Sequence, residues 1–196
     1  MPLHRYLLST AAIVALALSM PALAQQPMSS PRNAAAPQQQ QQQLSKQEME
    51  FMKNAAIGGM AEVELGKLAQ QNGHAQQVKD FGSRMVQDHS QAGNQLKSIA
   101  QQKGVQLPDQ LDGEHRAMRD RLAKLQGDQF DRAYMRLMTS DHDKDVKEFR
   151  KEAQTSKDPD LKRFARDTLN TIEQHDQLAH NVDRQLTSTG SSRAPR

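Results

Sequence analysis

The stretch RMVQDHSQAGNQLKSIA, residues Arg84–Ala100, places a histidine in the apolar stripe of a helix. At about 100° per residue, His89 points in the same direction as seven small or apolar residues. These are Val78, Gly82, Met85, Ala92, Gly93, Leu96 and Ala100. A buried imidazole costs free energy unless a hydrogen-bond partner, a metal ion or a polar cavity lies beside it. The pattern therefore predicts a long core helix and a polar partner elsewhere in the chain.

Local signals divide residues 45–187 into four long helices. Ser45 and Glu48 have the spacing of a capping box, which predicts the start of the first helix. Gly73 and Gly104 fit helix ends, and Asp158 fits the N-cap of the last helix. The helices are expected over about residues 45–72, 74–103, 128–155 and 158–187.

The predicted fold class is all-α, since no segment alternates with the period of a strand for long. Four helices of similar length favour an antiparallel four-helix bundle. The segment EHRAMRDRLAKL, residues 114–125, is amphipathic and predicts one short extra helix in the central connection.

Each long helix carries one polar residue within its apolar stripe, about halfway along its length. These residues are Glu62, His89, His142 and His175. Antiparallel helices of equal length share their midpoints, so we expect the four side chains to meet at one level of the bundle. Asp145 lies one turn beyond His142, at the edge of the same stripe.

The second and third long helices share a short pattern, Met-x-x-Asp-His, in MVQDH at residues 85–89 and MTSDH at residues 138–142. Its aspartates, Asp88 and Asp141, lie at the flank of the stripe, about 100° from the adjacent histidines. We therefore expect each aspartate to support a ligand on a neighbouring helix.

Two interpretations of this polar level remain open. Three imidazoles and a carboxylate suit one zinc, iron, copper or manganese ion, with Asp145 as an additional oxygen ligand. Alternatively, the level is a hydrogen-bonded polar layer that sets the helix register. A two-metal oxidase centre is disfavoured, because Val86 and Thr139 stand where Glu-x-x-His pairs need glutamate.

The chain ends have the composition of non-globular segments. Residues 1–24 have a basic start, an apolar run and a small-residue Ala-Leu-Ala end, which predicts a cleaved signal peptide. Residues 25–44, rich in glutamine and proline, and residues 188–196 predict a disordered linker and a disordered tail. Export to the periplasm or the cell exterior as a soluble protein is expected, with no transmembrane span after cleavage.

Composition limits the classes of partner. The chain has no cysteine, which excludes disulfides and thiolate chemistry. Removal of the leader leaves 25 Lys and Arg against 23 Asp and Glu, with the signs interspersed. This balance and the predicted export argue against a nucleic-acid partner.

Several segments together resemble the exported bacterial family catalogued as domain of unknown function 4142. They include MAEVELGKLAQ, VQDHSQAGNQL, YMRLMTSDHDKDV and LNTIEQH, and the resemblance covers about residues 46–185. It implies a ferritin-like four-helix bundle and implies no established activity.

Two functions of different classes follow. In the first, the protein binds a metal ion at the polar level and acts in envelope metal or oxidative-stress handling. In the second, it is a non-catalytic interaction or structural module whose partner is an envelope protein or a second copy of itself. No nucleophile and base arrangement is evident, so no catalytic residue is assigned. A binding protein is favoured, and an enzyme would have a metal-dependent redox activity.

Overall fold

The computed structural model describes residues 43–191. Outside this range lie the predicted signal peptide, residues 25–42 of the predicted linker and residues 192–196 of the predicted tail. The five helices are α1 (Lys46–Asn72), α2 (Gln76–Lys103), α3 (Gly113–Leu122), α4 (Gly127–Thr155) and α5 (Pro159–Ser191). No strand occurs in residues 43–191, so the all-α prediction, with its short helix in the central connection, is confirmed.

The first helix begins as its sequence predicts. The Ser45 hydroxyl accepts from the backbone N–H of Glu48 at 3.2 Å, and the Glu48 carboxylate accepts from the backbone N–H of Ser45 at 2.8 Å. This reciprocal capping box satisfies backbone donors that a helix start otherwise leaves free.

Three helix ends differ from the predicted bounds by more than one residue, and one of them is the end of α3, which lies at Leu122 rather than at residue 125. Helix α2 begins at Gln76 rather than at His74, because Asp131 of α4 accepts from the backbone N–H groups of His74 and Ala75 and holds them outside the helix. Helix α5 runs to Ser191, four residues beyond the predicted end of the bundle at residue 187.

Contacts at the helix ends establish the antiparallel arrangement. Asn72, which ends α1, donates to the backbone oxygen of Leu125, just before α4 begins. Lys103, which ends α2, donates to Asp160 in the first turn of α5 at 2.9 Å. Helices α1 and α4 are therefore antiparallel, as are α2 and α5. The connection 104–126, which contains α3, must then return along the length of the bundle, as in ferritin-like folds.

The hydrophobic core has two parts, separated by a polar level. One part includes Leu65, Phe81, Met135 and Val182. The other includes Phe51, Leu96, Phe149 and Leu161. On every long helix the polar residue predicted to lie at mid-bundle falls between the two apolar groups in sequence. The level of Glu62 is therefore a polar layer between two apolar layers.

Helices α1 and α2 approach each other closely at a pair of glycines. A Cβ atom on Gly66 would lie 2.6 Å from the backbone oxygen of Gly82, and one on Gly82 would lie 2.6 Å from Cβ of Ala69. Since real Cβ atoms cannot approach so closely, glycine at both positions allows this packing. Within the described residues, no helix has the length and apolar character needed to cross a membrane.

Candidate metal centre

Four buried side chains, one from each long helix, meet at the polar level. Nδ1 of His89 lies 2.8 Å from Oε2 of Glu62, and Nε2 of His142 lies 3.4 Å from Oε1 of the same carboxylate. The imidazole of His175 completes the group, with its ring centroid 5.3 Å from that of His89 and 5.5 Å from that of His142. The structure therefore brings together the four residues that sequence depth placed at one level.

Two of the imidazoles are held by acceptors that fix which ring nitrogen carries a proton. The backbone oxygen of Met138 lies 2.9 Å from Nδ1 of His142. A carbonyl oxygen can only accept, so Nδ1 of His142 carries the proton. Nδ1 of His89 likewise donates to the Glu62 carboxylate. A neutral imidazole with its proton on Nδ1 has a free lone pair on Nε2.

The third imidazole is held in the opposite sense. Nε2 of His175 lies 2.7 Å from Oδ2 of Asp88 on α2 and donates its proton to that carboxylate. Nδ1 of His175 therefore keeps the free lone pair. The contact fits the expectation that Asp88 supports a histidine on a neighbouring helix. It is the carboxylate–histidine contact that commonly orients metal ligands in proteins.

The remaining atoms of this group have no hydrogen-bond partner among the described residues. They are Oε1 of Glu62, Nε2 of His89, Nε2 of His142 and Nδ1 of His175. Each histidine offers one ligand atom, and these atoms lie within 4.8 Å of one another. Buried polar atoms without a partner are costly, and facing lone pairs with no donor between them suit a cation.

Electrostatics favours an ionised glutamate and a neutral His175. Burial alone would raise the pKa of Glu62, but the charges that His89 and His142 can carry, with the His89 hydrogen bond, lower it to about 2. Burial lowers the pKa of His175 to about 4, although its hydrogen bond to Asp88 opposes the change. For His89, burial alone would lower the pKa, but the Glu62 carboxylate raises it above its usual value of 6.5.

Asp145 and Asp141 lie outside the three-histidine group. Asp145 lines a cavity beside Glu62, and burial, with the Glu62 charge as the next cause, raises its pKa well above 3.8. Asp141 does not hold a histidine as Asp88 does. Its carboxylate lies 3.6 Å from Nζ of Lys144, and its side of α4 faces a cleft beside α1 and α3 that none of the three histidines lines.

Sequence reasoning missed two features of this region. The carbonyl of Met138 is a backbone group, so no residue pattern could have indicated it. Glu148 lines the same cleft as Asp141 and Asp145. The intervals of four and three residues between these acids on α4 predict a common face, and that spacing was a usable signal.

Two other groups of potential ligands lie nearer the surface. One consists of His74, Asp128 and Asp131, and Asp131 already accepts two backbone N–H groups there. The other consists of Asp143, Asp176 and His180. Neither group is as deeply buried as the three histidines, so the mid-bundle group is the stronger candidate.

Comparison with known families agrees with this architecture. The family model described as "Domain of unknown function (DUF4142)" matches residues 33–182. The chain belongs to the DUF4142 family. All four residues of the mid-bundle group lie within the matched range. A comparison with curated proteins found no match to the sequence.

Two solved structures share the fold of this DUF4142 chain at low sequence identity. A DUF305 fragment from Deinococcus radiodurans is 16% identical, with a TM-score of 0.65, and the match covers 74% of this chain and 99% of that one. A DUF305 protein from Streptomyces coelicolor, described as a candidate secreted protein, is 15% identical, with a TM-score of 0.62 and coverage of 72% and 94%. Likeness at this identity establishes the helical-bundle fold alone.

Proposed function

We propose that this DUF4142 protein binds one transition-metal ion at His89, His142 and His175, with Glu62 as a carboxylate ligand. The observation that carries the proposal is the orientation of the three rings. Each has one nitrogen held by an acceptor and one buried nitrogen without a partner, and the acceptor of His89 is Oε2 of Glu62, whose Oε1 has no hydrogen-bond partner. Metal-binding histidines in proteins use this arrangement, because the outer hydrogen bond fixes the tautomer and orients the ring.

Charge supports the same proposal. Glu62 and Asp88 place two carboxylates against the three rings, and a divalent ion would balance them. Three nitrogen ligands and one oxygen ligand suit zinc, iron, copper or manganese. Asp145 is an additional oxygen ligand in this proposal, approaching from the cavity that it lines with Glu62.

The proposed role is metal or oxidative-stress handling in the cell envelope. A redox-active ion at the centre would supply electron-transfer chemistry, and the chain would bind the ion, orient its ligands and limit access of water. No catalytic residue is assigned. The predicted signal peptide supports placement in the periplasm or outside the cell.

One contact favours the alternative function, a structural polar layer in an envelope interaction module. The 2.8 Å contact between His89 and Glu62 would be an ion pair if His89 kept a second proton. That proton could be donated from Nε2 to a neighbouring ring nitrogen, and no metal would be needed. The protein's partner would then be an envelope protein or a second copy bound at a surface face.

Metal content separates the two functions. The chain without its predicted leader, residues 25–196, is isolated untagged from a native periplasm and is also loaded with zinc, iron, copper or manganese. We expect it to retain about one equivalent of metal, measured by mass spectrometry. His89→Ala and His142→Ala are expected to lose it. His74→Ala is the matched control, because His74 is exposed and lies outside the mid-bundle group. No retention of any metal by the parent protein would contradict the proposal.

A further inference from the structure

A cleft of about 250 Å³ between α1, α3 and α4 has six acids in its lining. We call it the acidic cleft and define it by Asp112, Glu114, Asp141, Asp145 and Glu148. Only Lys144 and His115 bring basic groups to the same lining. A cleft lined by one sign of charge concentrates ions of the opposite sign and speeds their association.

The inner end of the acidic cleft is the glutamate of the candidate metal centre. Glu62 lines the cleft and also contacts His89 and His142. Its side chain is about 95% buried, and Oε1 has no hydrogen-bond partner in the described chain. A cation that reaches this oxygen is therefore next to the histidine nitrogens.

Gly58 borders both the acidic cleft and the space next to the histidines. It lines both the acidic cleft and a cavity of about 40 Å³ beside Glu62 and His89. A Cβ atom on Gly58 would have nothing within 4 Å, so packing does not require glycine there as it does at Gly66. Glycine destabilises a helix relative to alanine. The open space beside position 58 offers a reason for glycine at this position.

We infer that metal cations enter the buried histidine centre through the acidic cleft, passing Gly58 and meeting Glu62 first. The inference rests on the proposed function, because it concerns the route to the same centre. It adds a role for Gly58 and for the outer acids Glu114 and Glu148, which contact none of the three histidines.

Two other openings reach His89 itself, whereas the acidic cleft reaches Glu62, and the charges of those two openings favour cations less. A groove of about 620 Å³ beside α1, α2 and residues 105–111 has Lys67 and Lys97 to offset its acids Glu64 and Asp109. A cleft of about 210 Å³ between α2 and α5 has only Asp88 and Asp167 as acids, and Asp88 is already bound to His175.

The first test removes charge from the acidic cleft. Glu114→Gln with Glu148→Gln is expected to slow Co²⁺ uptake about tenfold, measured by stopped-flow absorbance at low salt. Equilibrium affinity should change little, because neither residue contacts the centre. The matched control, Asp109→Asn with Asp167→Asn, removes two charges from the other openings and should leave the rate near that of the parent. Equal slowing by both pairs would overturn the inference.

The second test narrows the route itself. Gly58→Val is expected to slow Co²⁺ uptake severalfold while thermal melting shows an intact fold. Ser90→Val is the control, since Ser90 is an exposed helix residue that lines the groove of about 620 Å³ and lines neither the acidic cleft nor the cavity beside Glu62 and His89. Slowing by Ser90→Val and not by Gly58→Val would place entry at that groove and overturn the inference. Failure of the parent protein to bind Co²⁺ at all would instead overturn the proposed function, and the entry route with it.

Discussion

Two buried glutamates of the same helix, Glu48 and Glu62, have opposite hydrogen-bond environments. Oε1 of Glu48 accepts from the Ser156 hydroxyl and from the backbone N–H groups of Lys157 and Asp158. Its other oxygen accepts from Ser45. Glu62 has His89 on one oxygen, while its Oε1 lies 3.4 Å from Nε2 of His142 and has no hydrogen-bond partner among the described residues.

The difference separates a structural carboxylate from a ligand-binding one. Glu48 joins the start of α1 to the turn between α4 and α5, and its hydrogen bonds account for both oxygens. A fully satisfied buried group stabilises a unique fold, whereas an incompletely satisfied one is costly unless something else binds it. The two residues are equally buried, at 4% exposure each, so burial alone does not distinguish them.

The largest expected effect is at the satisfied carboxylate. Glu48→Ala leaves the donors of Ser156, Lys157 and Asp158 without their acceptor, those of Ser156 and Asp158 being buried, and should lower the free energy of unfolding by about 3 kcal/mol. Chemical denaturation monitored by circular dichroism measures the loss. Glu50→Ala is the control, because Glu50 is an exposed residue of the same helix. A loss of unfolding free energy smaller than that of Glu50→Ala would mean that Glu48 does not hold the helix ends together.

Acid should weaken the same connection. Burial alone would raise the pKa of Glu48, but hydrogen bonds from Ser45, Asp158 and Ser156 lower it from 4.5 to about 2. The pKa is lower in the folded protein, so this contribution is present above pH 4.5 and is lost as the pH falls toward 2. In Glu48→Gln, stability should fall less steeply over that interval than in the parent, as denaturation at several pH values would measure. Equal slopes would contradict the assigned contacts.

Metal binding should sharpen the contrast between the two carboxylates. A metal at a hundredfold excess over its Kd should raise the free energy of unfolding of the parent by about 2.7 kcal/mol. Glu48→Gln should begin less stable and keep this increment, because Glu48 is remote from the histidines. His142→Ala should lose the increment. Thermal denaturation with and without zinc measures both, and an unchanged increment in His142→Ala would contradict the proposed centre.

The sequence predicted the composition of the polar level because helix period and depth are local properties. Glu62 and the three histidines share a facing and a distance from their helix ends, and antiparallel packing brings them together. The same reasoning placed Gly93 in the buried stripe, where it is exposed. Nothing lies within 4 Å of the Cβ position at Gly93 or at Gly59 of α1, and small residues on both helices leave that side of the bundle open.

What a flanking residue contacts depends on which helices are neighbours, and helix period does not contain that information. Asp88 and Asp141 precede histidines in the same Met-x-x-Asp-His pattern. Helix α2 lies beside α5, so Asp88 reaches His175. The corresponding side of α4 lies beside α1 and α3, where Asp141 lines the acidic cleft. Equal sequence patterns thus led to different contacts.

This pair gives the smallest and most selective test. Asp88→Asn removes the charge that holds the outer N–H of His175 and should weaken metal affinity by about 10- to 100-fold. Asp141→Asn removes an equal charge beside His142 without breaking a histidine contact, so its effect should be much smaller. Competition with a chromophoric chelator measures both constants. Equal losses of affinity would mean that total negative charge governs metal affinity. A loss confined to Asp88→Asn would mean that the orientation of the His175 ring governs it. Both variants remove one charge, and only Asp88→Asn weakens a histidine hydrogen bond.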